Sequence, residues 1–353
     1  MYDTAPFDAA SQHGPRPLPL FLDLLRCQTA TDPKRTKDAL AGLKAYQAAE
    51  RIPRPAPLPE AARVGRASLI DYGGTGTPVV FVPSLINPAF VLDLAENNSM
   101  LRWLATQNMR PLLLDWGEAT PEERDLDVGG HVERYLIPLA RALGEPPVLA
   151  GYCLGGTMAL AAAALIPVKG LALIATPWNF HGFPQDTRAG MATLWAGAQA
   201  TCERMGLLPM EVLQTAFWRL DPERTISKFE NFGRLPPDSE AAQGFVALED
   251  WANGGAPLTY AAGRQLFEDF IERDLPGQAA WSVGGRQIVP EDLTCPVLDI
   301  VSLTDRIVPA ATSTELEERI ETAAGHVGMV VGRGAKDTLW QPLVDWLSRL
   351  QHN

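Results

Sequence analysis

The sequence predicts an α/β chain built on a mainly parallel sheet, with a helical insertion late in the chain. Three observations carry this. Short, almost wholly apolar runs such as TPVVFVPS (77–84) and RPLLLDWG (110–117) have the composition of strands buried on both faces. Segments with apolar residues at helical spacing alternate with them. The alternation stops after residue 177 and resumes near 295, and the stretch between is rich in Trp, Phe and helical pattern. Strand–helix alternation puts helices on both faces of a parallel sheet. An insertion late in such a sheet is placed to cap the C-terminal ends of the strands, where these folds bind ligands.

Taken in order, residues 18–50 read as helix, in two amphipathic stretches, LPLFLDLLRCQTA and PKRTKDALAGLKAYQAAE. RIPRPAPLPE (51–60) is rich in Pro and reads as a linker or extended arm. RASLIDYG (66–73) reads as the first strand and TPVVFVPS as the second. SMLRWLATQNM is helical and RPLLLDWG is the next buried strand. DVGGHVERYLIPLARAL is an amphipathic helix, PPVLAGYC (146–153) a strand, GGTMALAAAALI a helix and KGLALIATP a strand. After the insertion come the strand CPVLDIVSLTD (295–305), the helical pattern ATSTELEERIETA, a short GHVGMVV and a closing helix, DTLWQPLVDWLSRL. The expected organisation is an N-terminal helical arm and Pro-rich linker (1–60), a core from 61–177 and 286–353, and a cap over 178–285.

Composition narrows the class of function. The chain has 353 residues, 46% hydrophobic and 20% charged, which is enough to bury a large core. The net charge of −12 gives no basic footprint for nucleic acid. The cysteines Cys27, Cys153, Cys202 and Cys295 are far apart and form no CxxC pair, which argues against a zinc site or a disulfide framework and for free thiols in a reducing cytoplasm. The start, MYDTAPFDAASQHGPRPLPL, lacks the basic and apolar regions of a signal peptide. Apolar runs are broken well short of a membrane span.

Chemistry points to Gly151-Tyr152-Cys153-Leu154-Gly155-Gly156, set between a strand and a helix. This is the G-x-S-x-G nucleophile elbow with Cys in place of Ser. The glycines allow a tight, strained turn in which side chains would collide with neighbouring backbone. Such a turn lifts the sulfur above the sheet edge and places it at a helix N-terminus, where the dipole and free N–H groups favour a thiolate and an oxyanion. The same pattern also suits a Gly-rich turn holding a small buried cysteine.

An elbow calls for an acid and then a histidine further along the chain. Asp305 closes the strand VLDIVSLTD, and His326 lies in the GHVG loop 21 residues later, with a helix expected between them. His326 would act as base for Cys153, and Asp305 would orient its imidazole. Backbone N–H groups of Leu154 and of Leu85, in the VPSLIN turn, would form the oxyanion hole. VPSLINP is equally readable as a Pro-bounded turn. Asp115, at the end of LLLDWG, competes as the acid, whereas Asp299 lies mid-strand and reads as structural. Among the other histidines, His13 and His352 are terminal, His131 reads as a partly buried surface residue of a helix, and His181 as a residue lining the cap.

With these residues in view, the chain resembles the polyhydroxyalkanoate synthases, which have an α/β-hydrolase fold and a cysteine nucleophile. The resemblance rests on VVFVPSLINPAFVLDL, NNSMLRWLATQNMRPLLLDWG, LAGYCLGGTMAL, ALIATPWNF, CPVLDIVSLTDRIVP and GHVGMVVG, in that order, over most of 77–180 and 290–335. It implies that Cys153 carries the growing chain, with His326 and Asp305 as its catalytic partners. It also implies an (R)-3-hydroxyacyl-coenzyme A substrate, from which coenzyme A leaves. No separate cofactor or metal is implied. The short N-terminal segment makes the chain similar to the class III catalytic subunit, which works with a second, unrelated subunit. The surface of a polyester granule, a homodimer and that second subunit are the partners this leaves open, in the cytoplasm. The stretch 181–285 matches only loosely, so no cap residue is carried over.

Cysteine suits acyl transfer. A thiol attacking a thioester gives another thioester at little net cost, and that intermediate is still energetic enough to pass its acyl group to a hydroxyl. A dry, capped pocket would favour transfer by excluding water, so a buried sulfur is expected. The same three residues would also serve a hydrolase, either an acyl-CoA thioesterase or an intracellular polyester depolymerase. A non-enzymatic, granule-binding member of the fold is the third alternative.

Overall fold

The computed structural model describes residues 14–351 apart from 53, 56 and 317. His13 and His352, and the first residues of the expected arm, lie outside the described residues. Two compact units are present. One comprises the described part of Met1–Arg54 with Asp221–Asn253, and the other Pro55–Leu220 with Gly254–Asn353.

The smaller unit is a helical cluster of Leu18–Gln28, Pro33–Ala48, Pro222–Phe232 and Glu240–Ala252. Local sequence fixes the helix starts. Asp32 and Asp221 accept backbone N–H bonds as N-caps, each followed by a proline at the first helical position, and Ser239 caps the last helix. Pro33–Ala48 meets Pro222–Phe232 at Gly42, where a Cβ would overlap the Phe229 carbonyl. Edge-to-face contacts of Phe229 with Phe21, Tyr46 and Phe245 fill the interior. Arg35 pairs with Glu230 and Glu223.

The larger unit is organised by an eight-stranded sheet. Its strands are β1 (Glu60–Val64), β2 (Ala67–Asp71), β3 (Pro78–Val82), β4 (Arg110–Asp115), β5 (Val148–Tyr152), β6 (Gly170–Ile174), β7 (Val297–Ser302) and β8 (Arg319–Thr322), in the order β1-β2-β4-β3-β5-β6-β7-β8. β2 runs antiparallel to both of its neighbours, and β3 through β8 are parallel. The fold class is therefore α/β with a mainly parallel sheet flanked by helices. β3, β5 and β6 are buried along their whole length, as parallel strands covered on both faces must be. The register aligns Val82 with Gly151, Tyr152 with Ile174, and Ile174 with Ile300. The turns after β3, β5, β6 and β7 thus emerge along one edge of the sheet.

The structure corrects two expectations. The first strand is β1, which starts at Glu60, the last residue of the Pro-rich segment, and forms a hairpin with β2. The described residues of 311–323 form no α-helix. After a single tight turn at Ala310–Thr312 the chain enters β8, paired in parallel with β7. Helix-forming Glu, Leu and Arg are overridden by the sheet edge. Thr314 donates its hydroxyl to Asp299 Oδ2 at 2.8 Å, and Asp299 N–H donates to the Glu318 carbonyl at 2.9 Å. A strand, not a helix, therefore separates Asp305 from His326.

Residues 178–220 and 254–285 of this unit are mainly helical, and include Gln185–Met205 and Met210–Leu220. Trp195 stacks on Phe267 with ring centroids 5.2 Å apart, and Phe270 packs edge-on against Trp281. The buried carboxylate of Asp274 accepts the N–H groups of Phe180, His181 and Gly277. Among the described residues no helix is long and apolar enough to cross a membrane.

Candidate active site

Cys153 stands between β5 and the helix Leu154–Leu165 with φ +57° and ψ −134°. A non-glycine residue at positive φ is strained by ~1–3 kcal/mol and persists only where its surroundings hold it. Here its N–H donates to the Ile174 carbonyl at 2.9 Å, and its own carbonyl accepts from Gly156 N–H at 2.9 Å. The glycine frame follows from close packing. A Cβ on Gly151 would overlap Gly156, one on Gly155 would overlap the carbonyls of Val82 and Pro83, and one on Gly156 would overlap Thr176. Thr157, one residue on, donates to the Pro177 carbonyl at 2.6 Å. Residue by residue, the helix is pressed into the ends of β3 and β6, and Cys153 is held at the sheet edge.

Asp305 and His326 come from the loops after β7 and β8. His326 Nδ1 lies 2.6 Å from Asp305 Oδ2, with side-chain exposures of 7% and 0%. The other oxygen of Asp305 accepts the N–H groups of Ile307 (2.7 Å) and Val308 (2.9 Å), so the carboxylate is fixed by its own loop. The two loops are also tied to each other. Ser302 Oγ donates to the Ala324 carbonyl, and Thr304 Oγ1 to that of Ala323. The Cys153 side chain is near enough to His326 to act on its charge. Burial opposes a charge on the imidazole, but Asp305 and Cys153 together outweigh it and raise the His326 pKa to about 10. A thiol beside an imidazole that a buried carboxylate orients is equipped for nucleophilic attack coupled to proton transfer.

Cys153 as a residue is partly buried. The elbow lifts the residue off the sheet, while the imidazole and carboxylate behind it are enclosed.

Leu154 is the first helical residue, so its N–H has no acceptor within the helix. The overlap that a side chain on Gly155 would suffer with Val82 and Pro83 shows how closely the helix start borders the turn after β3. In that turn Trp116 Nε1 donates to the Pro83 carbonyl at 3.0 Å, and Ile86 N–H donates to Ser84 Oγ at 3.1 Å. Leu85 follows, partly buried.

The competing residues lie in other surroundings. Asp115 is exposed and accepts from Gly117 N–H. Asp299 is fully buried within β7, and burial raises its pKa. His131 is fully buried, not a partly buried surface residue. Its Nδ1 is 2.7 Å from the Asp127 carbonyl and its Nε2 2.8 Å from Arg66, because Arg66 reaches across from the β1–β2 turn. Burial lowers its pKa to about 4, so it is neutral at pH 7. His181 is half-exposed, with Asp274 and Glu272 as its neighbours. Sequence reasoning missed Tyr152. Its ring stacks on His326 with centroids 5.0 Å apart and planes 25° apart, and its hydroxyl donates to the His326 carbonyl at 3.2 Å. Its place next to the nucleophile was the available signal.

A parallel sheet of this order, with a strained nucleophile turn after β5, defines an α/β-hydrolase fold. No family model matches the chain. Sequence comparison shows that it is similar to the poly(3-hydroxyalkanoate) polymerase subunits PhaC. It is 29% identical over 292 residues to that of Haloferax mediterranei, covering 77% of this chain and 58% of the relative. With the subunit of Allochromatium vinosum it shares 27% over 290 residues, 77% of this chain and 80% of the relative. For Synechocystis the figures are 27% over 296 residues, 78% and 78%. The chain thus spans less than two thirds of the haloarchaeal relative. Among solved structures, an epoxide hydrolase of the α/β-hydrolase superfamily from hot-environment metagenomes aligns with a TM-score of 0.50 at 16% identity, covering 82% of this chain and 98% of that one. That likeness concerns the fold alone.

Proposed function

We propose that this chain is an acyltransferase that polymerises (R)-3-hydroxyacyl-coenzyme A into a polyester through an acyl group carried on Cys153. The observation that carries the reading is the Cys153–His326–Asp305 set at the sheet edge. Similarity to polymerase subunits supports this reading over the many others that the fold can host.

In the first half-reaction the Cys153 sulfur attacks the thioester carbonyl, its proton having already passed to His326. The N–H groups of Leu154 and Leu85 receive the oxyanion. The tetrahedral intermediate collapses, the carbon–sulfur bond to coenzyme A breaks, and the leaving thiolate takes a proton from His326. In the second, a 3-hydroxyl group attacks the Cys153 thioester, giving up its proton to His326. An oxoester forms and the Cys153 thiolate is released. Asp305 holds the imidazole in the tautomer that both steps need. The scheme needs no cofactor. On this reading the chain works in the cytoplasm at the surface of a polyester granule, with the second synthase subunit as partner.

A hydrolase would use the same residues with water as acceptor. Incubation of the purified chain with 3-hydroxybutyryl-coenzyme A, following thiol release and insoluble polymer together, separates the two. Polymer formed in step with released coenzyme A supports the transferase. Stoichiometric release of coenzyme A and free hydroxy acid, with no polymer, would replace it by the hydrolase.

A further inference from the structure

Resting on the reading of Cys153, His326 and Asp305 as one catalytic set, we propose that Tyr152 is the positioning residue of His326, its ring face carrying the imidazole in its charged form and its hydroxyl locking the imidazole's backbone. Three observations converge on this. The rings lie nearly parallel, with centroids 5.0 Å apart and planes 25° apart. The phenol donates to the carbonyl of His326 itself, at 3.2 Å. Tyr152 is buried at the end of β5, immediately before the nucleophile, so its backbone is set by the same sheet that sets Cys153.

Each contact constrains a different freedom. Asp305 holds the imidazole at Nδ1, which leaves the ring free to swing about that bond. A flat ring packed on one face removes the swing. Ser302 and Thr304 anchor the loop at Ala324 and Ala323, before His326 is reached, and the Tyr152 hydroxyl adds an anchor at His326 itself. A buried tyrosine hydroxyl needs an acceptor, so this bond also fixes the rotation of the phenol and with it the stacking plane.

The ring matters electrostatically as well. The face of an aromatic ring is electron-rich and attracts a cation placed over it. With its pKa raised to about 10, His326 is that cation at neutral pH beside Cys153, and it becomes the cation again when it takes a proton from an incoming hydroxyl. The ionisable groups that face it are Asp305, from the loop after β7, and Cys153, from the elbow. Tyr152 itself stays protonated, since burial, Cys153 and Asp305 all hold its pKa well above its ordinary value. It therefore acts as a neutral ring and not as a proton donor in turnover.

The test alters the ring's electrons while keeping its shape. Position 152 is changed by Tyr152→Phe and then filled with monofluorinated and pentafluorinated phenylalanine, which progressively deplete the ring face. His326 is titrated by NMR in protein labelled at histidine carbon ε1, its signal identified by its loss in His326→Gln. The His326 midpoint should fall stepwise along the series, by about tenfold in protonation constant between Phe and pentafluorophenylalanine, the scale of a desolvated cation–ring contact. With 3-hydroxybutyryl-coenzyme A, kcat should fall in the same order while KM holds. A midpoint that stays fixed across the series overturns the proposal. Cys153→Ala, assayed for coenzyme A release, judges the underlying reading separately: full activity there would remove Cys153 from the chemistry and leave the NMR series to decide the part played by Tyr152.

Discussion

Gly155 sits so close to Val82 that a Cβ on it would overlap the Val82 carbonyl oxygen. The obstacle is backbone, so no side chain can rotate away. Gly155→Ala must push the helix Leu154–Leu165 off the end of β3, at a cost of at least the ~1–3 kcal/mol typical of overpacking. The Leu154 N–H moves with the helix. Urea unfolding should show the loss of stability, and turnover should fall further than stability does. Gly190 provides the contrast. It is exposed inside Gln185–Met205 with nothing within 4 Å of where its Cβ would stand. Gly190→Ala should stabilise the chain by ~0.5–1 kcal/mol.

Cys153→Ala should abolish both coenzyme A release and covalent labelling by an acyl-CoA analogue, with the labelled peptide located by mass spectrometry. Replacing Cys27, Cys202 and Cys295 together should lower stability, because Cys202 is buried and Cys295 partly so, but should leave turnover largely intact. Labelling that persists in Cys153→Ala would place the acyl group elsewhere.

Two buried histidines should impose opposite pH dependences on stability. His326 has its folded pKa raised to about 10. Its contribution is fully present below the unfolded value of about 6.5 and is lost as the pH rises through about 10. His131 has its folded pKa lowered to about 4. Its contribution is present above about 6.5 and is lost as the pH falls toward 4, because the unfolded chain takes up a proton that the folded chain refuses. Urea unfolding of His131→Gln should lack the wild-type fall between pH 6.5 and 4. His326→Ala should lack the fall between 6.5 and 10. Their activities should separate too. His326→Ala should slow acylation by ~10²–10⁴-fold, the usual worth of general-base assistance. His131→Gln should lose stability and keep its rate per folded molecule.

These residues also show what the sequence makes legible. GYCLGG is readable because the elbow is local: the glycines, the strand before and the helix after lie within a few residues of each other. Asp305 and His326 are readable as an ordered pair because each follows an apolar strand or a glycine turn. The segment 319–322 is not readable as a strand, since ELEERIE is a helical composition and only its neighbour β7 makes it β8. His131 looks like a helix-surface residue until Arg66, 65 positions away, closes over it. Tyr152 is hidden for the same reason. Its partner is 174 residues distant, and its place beside Cys153 is the one local sign that sets it apart from other aromatic residues at strand ends.

Asp305→Asn separates the two halves of the proposed reaction. Asparagine keeps an oxygen for the N–H groups of Ile307 and Val308, so the loop should hold. Its amide cannot supply the negative charge beside His326 that helps raise the imidazole pKa, and an amide NH₂ turned toward Nδ1 would favour the wrong tautomer. The His326 midpoint should therefore drop in an NMR titration. The first acylation has a second resource, because a thiol gives up its proton far more readily than an alcohol does. Attack by the 3-hydroxyl has none, since that hydroxyl needs the base throughout. Elongation should accordingly suffer more than acylation. A single-turnover experiment with 3-hydroxybutyryl-coenzyme A should show coenzyme A released, then a stall with short products on Cys153. Equal slowing of both steps would confine Asp305 to orienting the imidazole. Full activity in Asp305→Asn, with loss in Asp115→Asn, would give the acid's place to Asp115, against the 2.6 Å contact between Asp305 and His326.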